Sequence, residues 1–242
     1  DTVIQLRLEF ELANPELPRE MDRLFVSFFK AALQNYSEEL FEEFYDKKRS
    51  IIKAFTYSLF LPQAQFVKEK INLGQSCFTM FFSSADMGQL IQFFNAFKLM
   101  LNKPYPVQNN LMWLKKVGTQ KREEITDSEI VVKMQSSLVV RRHNSETNHD
   151  EYFTYDHEEF GKVLKENIET FLQKLNIPAS AEGFSIIPIK GKKVVADIFG
   201  RKVDANIGIY KLTGSPELLN ILYLSAMGSR RSEGHGKFEV IW

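Results

Sequence analysis

AMGSRRSEGHGKFEV, Ala226 to Val240, sets three glycines, Gly228, Gly234 and Gly236, around Ser229-Arg230-Arg231-Ser232-Glu233. An apolar, helix-like run from Leu218 to Met227 precedes it, and a short strand-like end, KFEVIW (237–242), follows. Helix, glycine-rich turn and strand are the closing steps of a strand-helix-strand-strand-helix-strand unit, so this stretch decides what to look for upstream. Backbone N–H groups in such a turn can approach an anion closely, because no Cβ stands in the way. Arg230 and Arg231 add forked donors suited to phosphate, and Ser229 and Ser232 add hydroxyls. The loop is no mononucleotide P-loop, since G-x4-G-K-[ST] is absent and the loop follows a helix. A plainer reading of the same residues is a helix C-cap at Gly228 followed by a solvated turn.

Working outward, the rest of the unit is present. IVVKMQSSLVV (130–140) reads as a strand and YDHEEFGKVLKENIETFLQKL (155–175) as a helix with Asp156 at its N-cap. FSIIPIKG (184–191) and DANIGIYKLTG (204–214) read as strands, with KKVVADIFG (192–200) a further strand or hairpin arm. SPELLNILYLSAM (215–227) is a helix with Pro216 at its first position. The same order occurs once before. VIQLRLEFEL (3–12) alternates as a half-buried strand does, and 19–35 carries apolar residues at helical spacing. Ser37 caps a second short helix, SEELFEEFYD. KAFTYSLFLP (53–62) and QSCFTMFFSS (75–84) are strands, 85–102 is a helix with Asp86 near its start, and PVQNNLMWLKKVG (106–118) is a weak strand. The charged TQKREEITDSE (119–129) reads as a linker. The expected fold is therefore α+β, two tandem ferredoxin-like domains over 1–120 and 121–242, each an antiparallel sheet with helices on one face. The halves share the pattern and no close sequence repeat.

Thirty-one Lys and Arg balance 31 Asp and Glu, which by itself speaks against a nucleic-acid binder. The distribution differs: residues 1–46 hold four basic and 11 acidic side chains, while 190–237 hold nine basic and four acidic. That asymmetry suits one cationic surface, and chance segregation of solvated charges is the alternative. No apolar run approaches the roughly 18 residues of a membrane span, so no membrane partner is expected. No signal peptide is read, and the start at Asp1 without methionine suggests that a few residues have been trimmed. The single cysteine, Cys77, is expected to be a buried thiol, which fits a reducing cytoplasm.

The order helix, G-x-R-R-S-x-G-x-G, final strand resembles the C-terminal signature of the CRISPR-associated endoribonucleases of the RAMP superfamily, which cut precursor CRISPR RNA within its repeats. FTYSLFLP (55–62) resembles the second strand of that family, and SSLVVRRHNSETNHDEYFTYDHEEF (136–160) its mid-chain segment. The resemblance spans nearly the whole chain in the expected order. It implies tandem ferredoxin-like domains, a prokaryotic cytoplasmic protein and RNA cleavage with no cofactor and no required metal. It also implies CRISPR repeat RNA as partner, and leaves room for other effector subunits or a homodimer. In such chemistry the 2′-hydroxyl attacks in line, a base takes its proton, an acid protonates the leaving 5′ oxygen, and cations stabilise the charge. The products are a 2′,3′-cyclic phosphate and a 5′-hydroxyl.

Two departures stand out. The family usually has an aromatic between the last two loop glycines, where this chain has His235. Many members use a histidine shortly before the F-T-Y-S strand, yet FEEFYDKKRSIIKAFTYS (41–58) contains none, and the four histidines, 143, 149, 157 and 235, all lie in the second half. The usual position falls at or near Asp46 or Lys47. Three readings follow: a histidine-free site in which Lys30, Tyr45, Lys47 and Lys53 position the phosphate and stabilise charge; a non-cleaving RNA binder, as an inert effector subunit would be; or a histidine substituted in this sequence or replaced in role by His235. A lysine, with an ordinary pKa of ~10.4, suits an acid or an electrostatic clamp better than a base. Lys53, just before the FTYS strand, is the first choice. Taken plainly, Tyr45 is packing, Lys47-Lys48-Arg49 a solvated charge run and Lys30 a snorkelling helix lysine.

Further RNA contacts are expected from Arg141, Arg142 and His143 at a strand end, and from Lys190, Lys192, Lys193, Arg201 and Lys202 around a hairpin, as well as from Gly228, Ser229, Arg230, Arg231, Ser232, Gly234, His235 and Gly236 of the loop itself. Solvated charge on ordinary surface loops is the competing account. His143, His149, Asp150 and Glu151 match no strong metal-ligand spacing, so no metal is expected. A ferredoxin-like protein–protein module, which would show no salt-sensitive RNA binding, is the weaker rival.

Overall fold

A computed structural model describes residues 2–48 and 51–242. The first unit runs β1 (Thr2–Leu12), β2 (Glu16–Pro18), α1 (Met21–Tyr36), α2 (Glu38–Tyr45), β3 (Phe55–Phe60), β4 (Gln65–Phe66), β5 (Lys70–Asn72), β6 (Cys77–Ser84), α3 (Met87–Leu99), β7 (Pro104–Val107) and β8 (Asn110–Glu123). The second runs β9 (Glu129–Met134), β10 (Arg141–Asn144), β11 (His149–Tyr152), α4 (Phe160–Leu175), β12 (Ser185–Ile198), β13 (Arg201–Thr213), α5 (Pro216–Ser225) and β14 (Phe238–Val240). The main sheets have the orders β3-β6-β1-β8-β7 and β12-β13-β9-β14, with every strand pair antiparallel. Both are the ferredoxin-like arrangement, the first with β7 added at one edge.

Alternation in β1 builds the first core. Leu6, Leu8, Phe10 and Leu12 turn toward α1 and α3, where Phe25, Phe28, Phe29, Phe93 and Phe97 are all buried. Phe10 stacks on Phe78 at 4.7 Å between centroids, and Phe29 meets Phe55, Phe82 and Phe93 nearly edge-on. Each such ring contributes roughly 1.5–3 kcal/mol by leaving water. The second core packs Ile130, Val132, Tyr210 and Leu212 of the sheet against Val163, Leu164 and Ile168 of α4 and Leu218 and Leu222 of α5.

Ser37, Asp86 and Ser215 accept from the backbone N–H three residues on and so cap α2, α3 and α5. Asp156 does not cap α4, which begins later; it accepts from the Thr154 hydroxyl and pairs with Lys193. The charged linker is shorter than its composition suggests, because Thr119–Glu123 continue β8 beside Thr2–Leu6. The strand expected over 130–140 leaves the sheet after Met134, and 184–214 form one long hairpin. Cys77 is half-buried at the start of β6, its thiol 3.5 Å from Gln75 Oε1. Among the described residues, no helix is long and apolar enough to cross a membrane.

Candidate active site

The glycine-rich loop is wedged between the two units. The α5 helix ends at Ser225, whose hydroxyl donates to Ala54 O at 2.5 Å and accepts from Ala85 N, both in the first unit. After Gly228, the chain makes a 3-10 turn at Arg231–Glu233. Thr56 Oγ1 donates to Arg231 O at 2.9 Å, and the Tyr57 hydroxyl donates to Glu233 O at 3.2 Å, so β3 grips the turn by its backbone. Gly234 has φ +87°, and a Cβ there would lie 2.7 Å from the Tyr57 ring. Gly236 has φ +83°, and a Cβ there would lie 1.9 Å from Met227 O. Close packing and left-handed backbone, rather than access for an anion, account for these two glycines.

The two arginines differ. Arg231 donates to Ser225 O at 3.0 Å and Lys53 O at 3.2 Å, and its guanidinium lies 3.5 Å from the centroid of the Phe171 ring. Burial works against its charge, and the ring face and carbonyls offset that. It therefore locks loop, α4 and the Lys53 segment together. Arg230, at φ +61°, sits 3.5 Å from Glu233 Oε2, and its Nε is buried without a hydrogen-bond partner. Ser229 donates its N–H to Val139 O, and Ser232 lies beside Lys53 and Arg231. His235 is buried and shares a hydrogen bond with Ser137; burial pushes its pKa down to about 4, so the ring is neutral.

Three of the expected catalytic side chains meet. Lys53 Nζ lies 4.8 Å and Lys30 Nζ 5.3 Å from the centroid of the Tyr45 ring. Helix α1 buries Phe28 and Phe29 and leaves Lys30 outward, while α2 delivers Tyr45 as its last residue beside buried Phe44. Lys53 is fixed through its neighbour: Ala54 N donates to Gln89 Oε1, and Ala54 O accepts from Ser84 and Ser225. Burial lowers the Lys53 pKa, the Glu233 carboxylate opposes that, and the Lys30 charge adds to it. Burial, with the Glu233 charge, raises the Tyr45 pKa, so the phenol stays a donor. Lys47 lies exposed in the turn after α2 and is not among the side chains on this ring; Arg49 falls outside the described residues.

The basic residues of the second unit divide. Arg141 pairs with Asp150, Arg142 with Glu159 and Glu166, His143 with Asp150, Lys193 with Asp156 and Lys202 with Asp197. His143 and Arg141 hold the Asp150 carboxyl below its ordinary range. Arg141–Asn144 and His149–Tyr152 pair as a hairpin where the polar sequence suggested a plain loop. Lys190, Lys192 and Arg201 are exposed, and no ion pair involves them among the described residues. Lys190 and Lys192 share one face of β12 with Val194 and Ala196. Val194 and Ala196, with Tyr57, Leu59, Phe66, Ser137 and His235, line a cavity of about 590 Å³ between the units. The tip of the β12–β13 hairpin spans it: Phe199 N donates to Asp22 Oδ2 at 2.7 Å, and Arg23 donates to Phe199 O at 2.9 Å.

Glu233, Asp22, Tyr57, Ser225 and Phe171 belong to this site although the sequence singled out none of them. Only Tyr57 carried a signal, as part of the FTYS strand. Among the described residues no three of His, Cys, Asp and Glu gather as a metal-ligating group.

Paired ferredoxin-like units with a glycine-rich loop between them place the chain in the tandem ferredoxin-like class. The family model for the C-terminal part of CRISPR-associated protein Cas6 matches residues 120–240. The chain belongs to the Cas6 family. No curated protein matches the sequence. A RAMP protein described as binding different RNA substrates has a TM-score of 0.83 at 16% identity, over 99% of this chain and 100% of its own. The product of a Cas6-related gene from Pyrococcus furiosus has a TM-score of 0.85 at 14% identity, over 98% of each chain. A Cas6 product complex has a TM-score of 0.72 at 14% identity, over 98% of this chain and 99% of the other. At these identities the likeness is one of fold.

Proposed function

We propose that the chain is an endoribonuclease that binds precursor CRISPR RNA and cuts it within the repeat without a metal. The observation that carries this is the meeting of two ammonium groups on one phenol ring, Lys30 and Lys53 over Tyr45, beside the loop of the family's C-terminal part. Two cations within reach of one phosphate would stabilise the charge that develops as the 2′-hydroxyl attacks phosphorus. Lys53 is suited to protonate the leaving 5′ oxygen, because burial makes its proton easier to give up. Tyr45, held as a donor, would hydrogen-bond a non-bridging oxygen. The proton of the 2′-hydroxyl passes to water. The bond from phosphorus to the 5′ oxygen breaks as the bond to the 2′ oxygen forms, leaving a 2′,3′-cyclic phosphate and a 5′-hydroxyl.

The RNA backbone would follow Lys190, Lys192 and Arg201 along the hairpin toward the cavity, with Arg230 and Ser232 at the loop. Arg231 is assigned to the loop's architecture. In the test, repeat RNA is incubated with wild type, Lys53→Ala, Lys30→Ala and Lys47→Ala in excess EDTA. Cleavage by wild type at one position, a rate loss of roughly 10²-fold or more in Lys53→Ala, and near wild-type rate in Lys47→Ala are expected. Bound but uncut RNA with wild-type protein would overturn the enzymatic reading and leave an RNA-binding subunit.

A further inference from the structure

A pocket of about 480 Å³ opens where the Lys53 segment, the end of α4 and the glycine-rich loop meet, lined by Ile51, Ile52, Lys53, Lys174, Arg231 and Ser232. Three of these six residues are cations and none is an acid. Its walls are fixed. The Gln89 side chain accepts from Ala54 N and donates to Ile52 O, each at 3.0 Å, and so clamps the chain on both sides of Lys53. The Arg231 guanidinium donates to Ser225 O at 3.0 Å and Lys53 O at 3.2 Å and lies 3.5 Å from the centroid of the Phe171 ring. Phe171 and Lys174 are three residues apart on α4 and therefore share a face of it, which brings the Lys174 side chain to the same pocket.

The charge in this pocket is unanswered. Among the described residues no ion pair involves Lys53, Lys174 or Arg231; the acid of the loop, Glu233, pairs with Arg230 and does not line the pocket. Arg231 meets only carbonyls and a ring face, and burial works against its charge, so an anion placed here supplies the counter-charge that the fold withholds. Lys53 belongs to two surfaces at once: its Nζ lies 4.8 Å from the centroid of the Tyr45 ring, and the residue also lines this pocket. A polyanionic strand whose reacting phosphate sits at Lys30, Tyr45 and Lys53 therefore meets the pocket with its neighbouring phosphate. We propose that the pocket is a second phosphate subsite, which takes the phosphodiester next to the scissile one, with Lys174 and the Ser232 hydroxyl as its contacts and Arg231 as a fixed charge in its wall. The inference rests on the cleavage reading above and deepens it. Lys174 is then a positioning residue for the RNA. Its plainer role, a lysine in the last turn of α4 complementing the helix dipole, requires no contact with RNA.

The test uses the full chain and repeat RNA with a 2′-deoxy nucleotide just upstream of the cut, so that binding is read without cleavage. Affinity is measured by fluorescence anisotropy over a salt series for wild type, Lys174→Gln and Lys165→Gln, the last being a lysine of α4 that lines a separate pocket. The slope of log affinity against log salt should become shallower by about 0.7 in Lys174→Gln, the value of one single-strand phosphate contact, and stay unchanged in Lys165→Gln. An uncharged methylphosphonate then replaces the linkage on either side of the cut in turn, and at one of the two Lys174→Gln should no longer weaken binding. An unmoved slope in Lys174→Gln, with or without a lower Tm, assigns the residue to α4 alone and overturns the subsite. Equal losses in Lys165→Gln, or a weakening by Lys174→Gln that persists at both neutral linkages, overturn it too. A wild type that binds the all-ribose repeat without cutting it fails the cleavage reading alone, because the slopes still decide the subsite; a wild type that binds no repeat RNA overturns both.

Discussion

Replacing Gly236 by alanine tests whether the loop's glycines are there for packing. At φ +83° a non-glycine residue costs about 1–2 kcal/mol in the left-handed region. The added Cβ would lie 1.9 Å from Met227 O and 3.0 Å from its carbon, atoms of the backbone that cannot swing aside. Relief requires the two segments to part, which breaks the bonds Met227 N to Gly236 O at 3.2 Å and Gly236 N to Ser137 O at 2.9 Å. Each is worth about 1 kcal/mol. The total is about 3–4 kcal/mol, or roughly 6–16 °C in Tm for a domain of this size. Gly183 is the control: its φ is +79° and a Cβ there meets nothing within 4 Å, so Gly183→Ala should show only the backbone cost. Differential scanning calorimetry on the two variants and wild type measures this. Equal Tm values for Gly236→Ala and Gly183→Ala would refute the packing account and return Gly236 to an anion-binding role.

Two buried groups make stability depend on pH. His235 has a folded pKa of about 4 against an ordinary 6.5, so the unfolded chain binds the extra proton between those values and stability falls as pH drops from about 6.5 to about 4. Wild type should lose about 3 kcal/mol over that window relative to His235→Phe, which carries no such group; urea titrations at pH 7 and pH 4.5 check it, and parallel losses would refute it. Lys237 is buried between Gln5 Oε1 at 3.2 Å and Ser83 Oγ at 3.3 Å, with a folded pKa of about 8 against 10.5. The unfolded chain again binds more protons between those values, so stability rises with pH from about 8 to about 10.5, by at most about 3 kcal/mol. Lys237→Met should remove that rise, as measured by urea unfolding at pH 7.5 and pH 10, and a rise that persists in the variant would contradict it.

The fold was legible because each main element carries its own period. The alternation in VIQLRLEFEL, the helical spacing of Leu24, Phe25, Phe28 and Phe29, and the caps Ser37, Asp86 and Ser215 are local signals that the core enforces. The β2–β5–β4 sheet was not legible, since its strands are two or three residues long and show no period. The β10–β11 hairpin was hidden in HNSETNHDE, whose polar composition is that of a loop although the cross-strand pairs Arg141–Asp150 and His143–Asp150 hold it and Arg142 ties it to Glu166 of α4. Within the site, Lys30, Tyr45 and Lys53 could be picked by type and by the resemblance. Arg231 could not be read as internal, because Phe171 and Ser225 reach it only through the packing of the second unit and Lys53 only through the docking of the first. Glu233 was concealed for the same reason, since its carbonyl is held by Tyr57 of the other unit.

The central claim is cleavage by the 2′-hydroxyl at a site built from Lys30, Tyr45 and Lys53. Its most direct test is single-turnover cleavage of the repeat RNA in excess EDTA, comparing all-ribose substrate with one carrying a single 2′-deoxy nucleotide just upstream of the cut. The account predicts a 2′,3′-cyclic phosphate end from the first and no cut at that position in the second. Cleavage of the deoxy substrate, or a 3′-hydroxyl end from the all-ribose one, would contradict it.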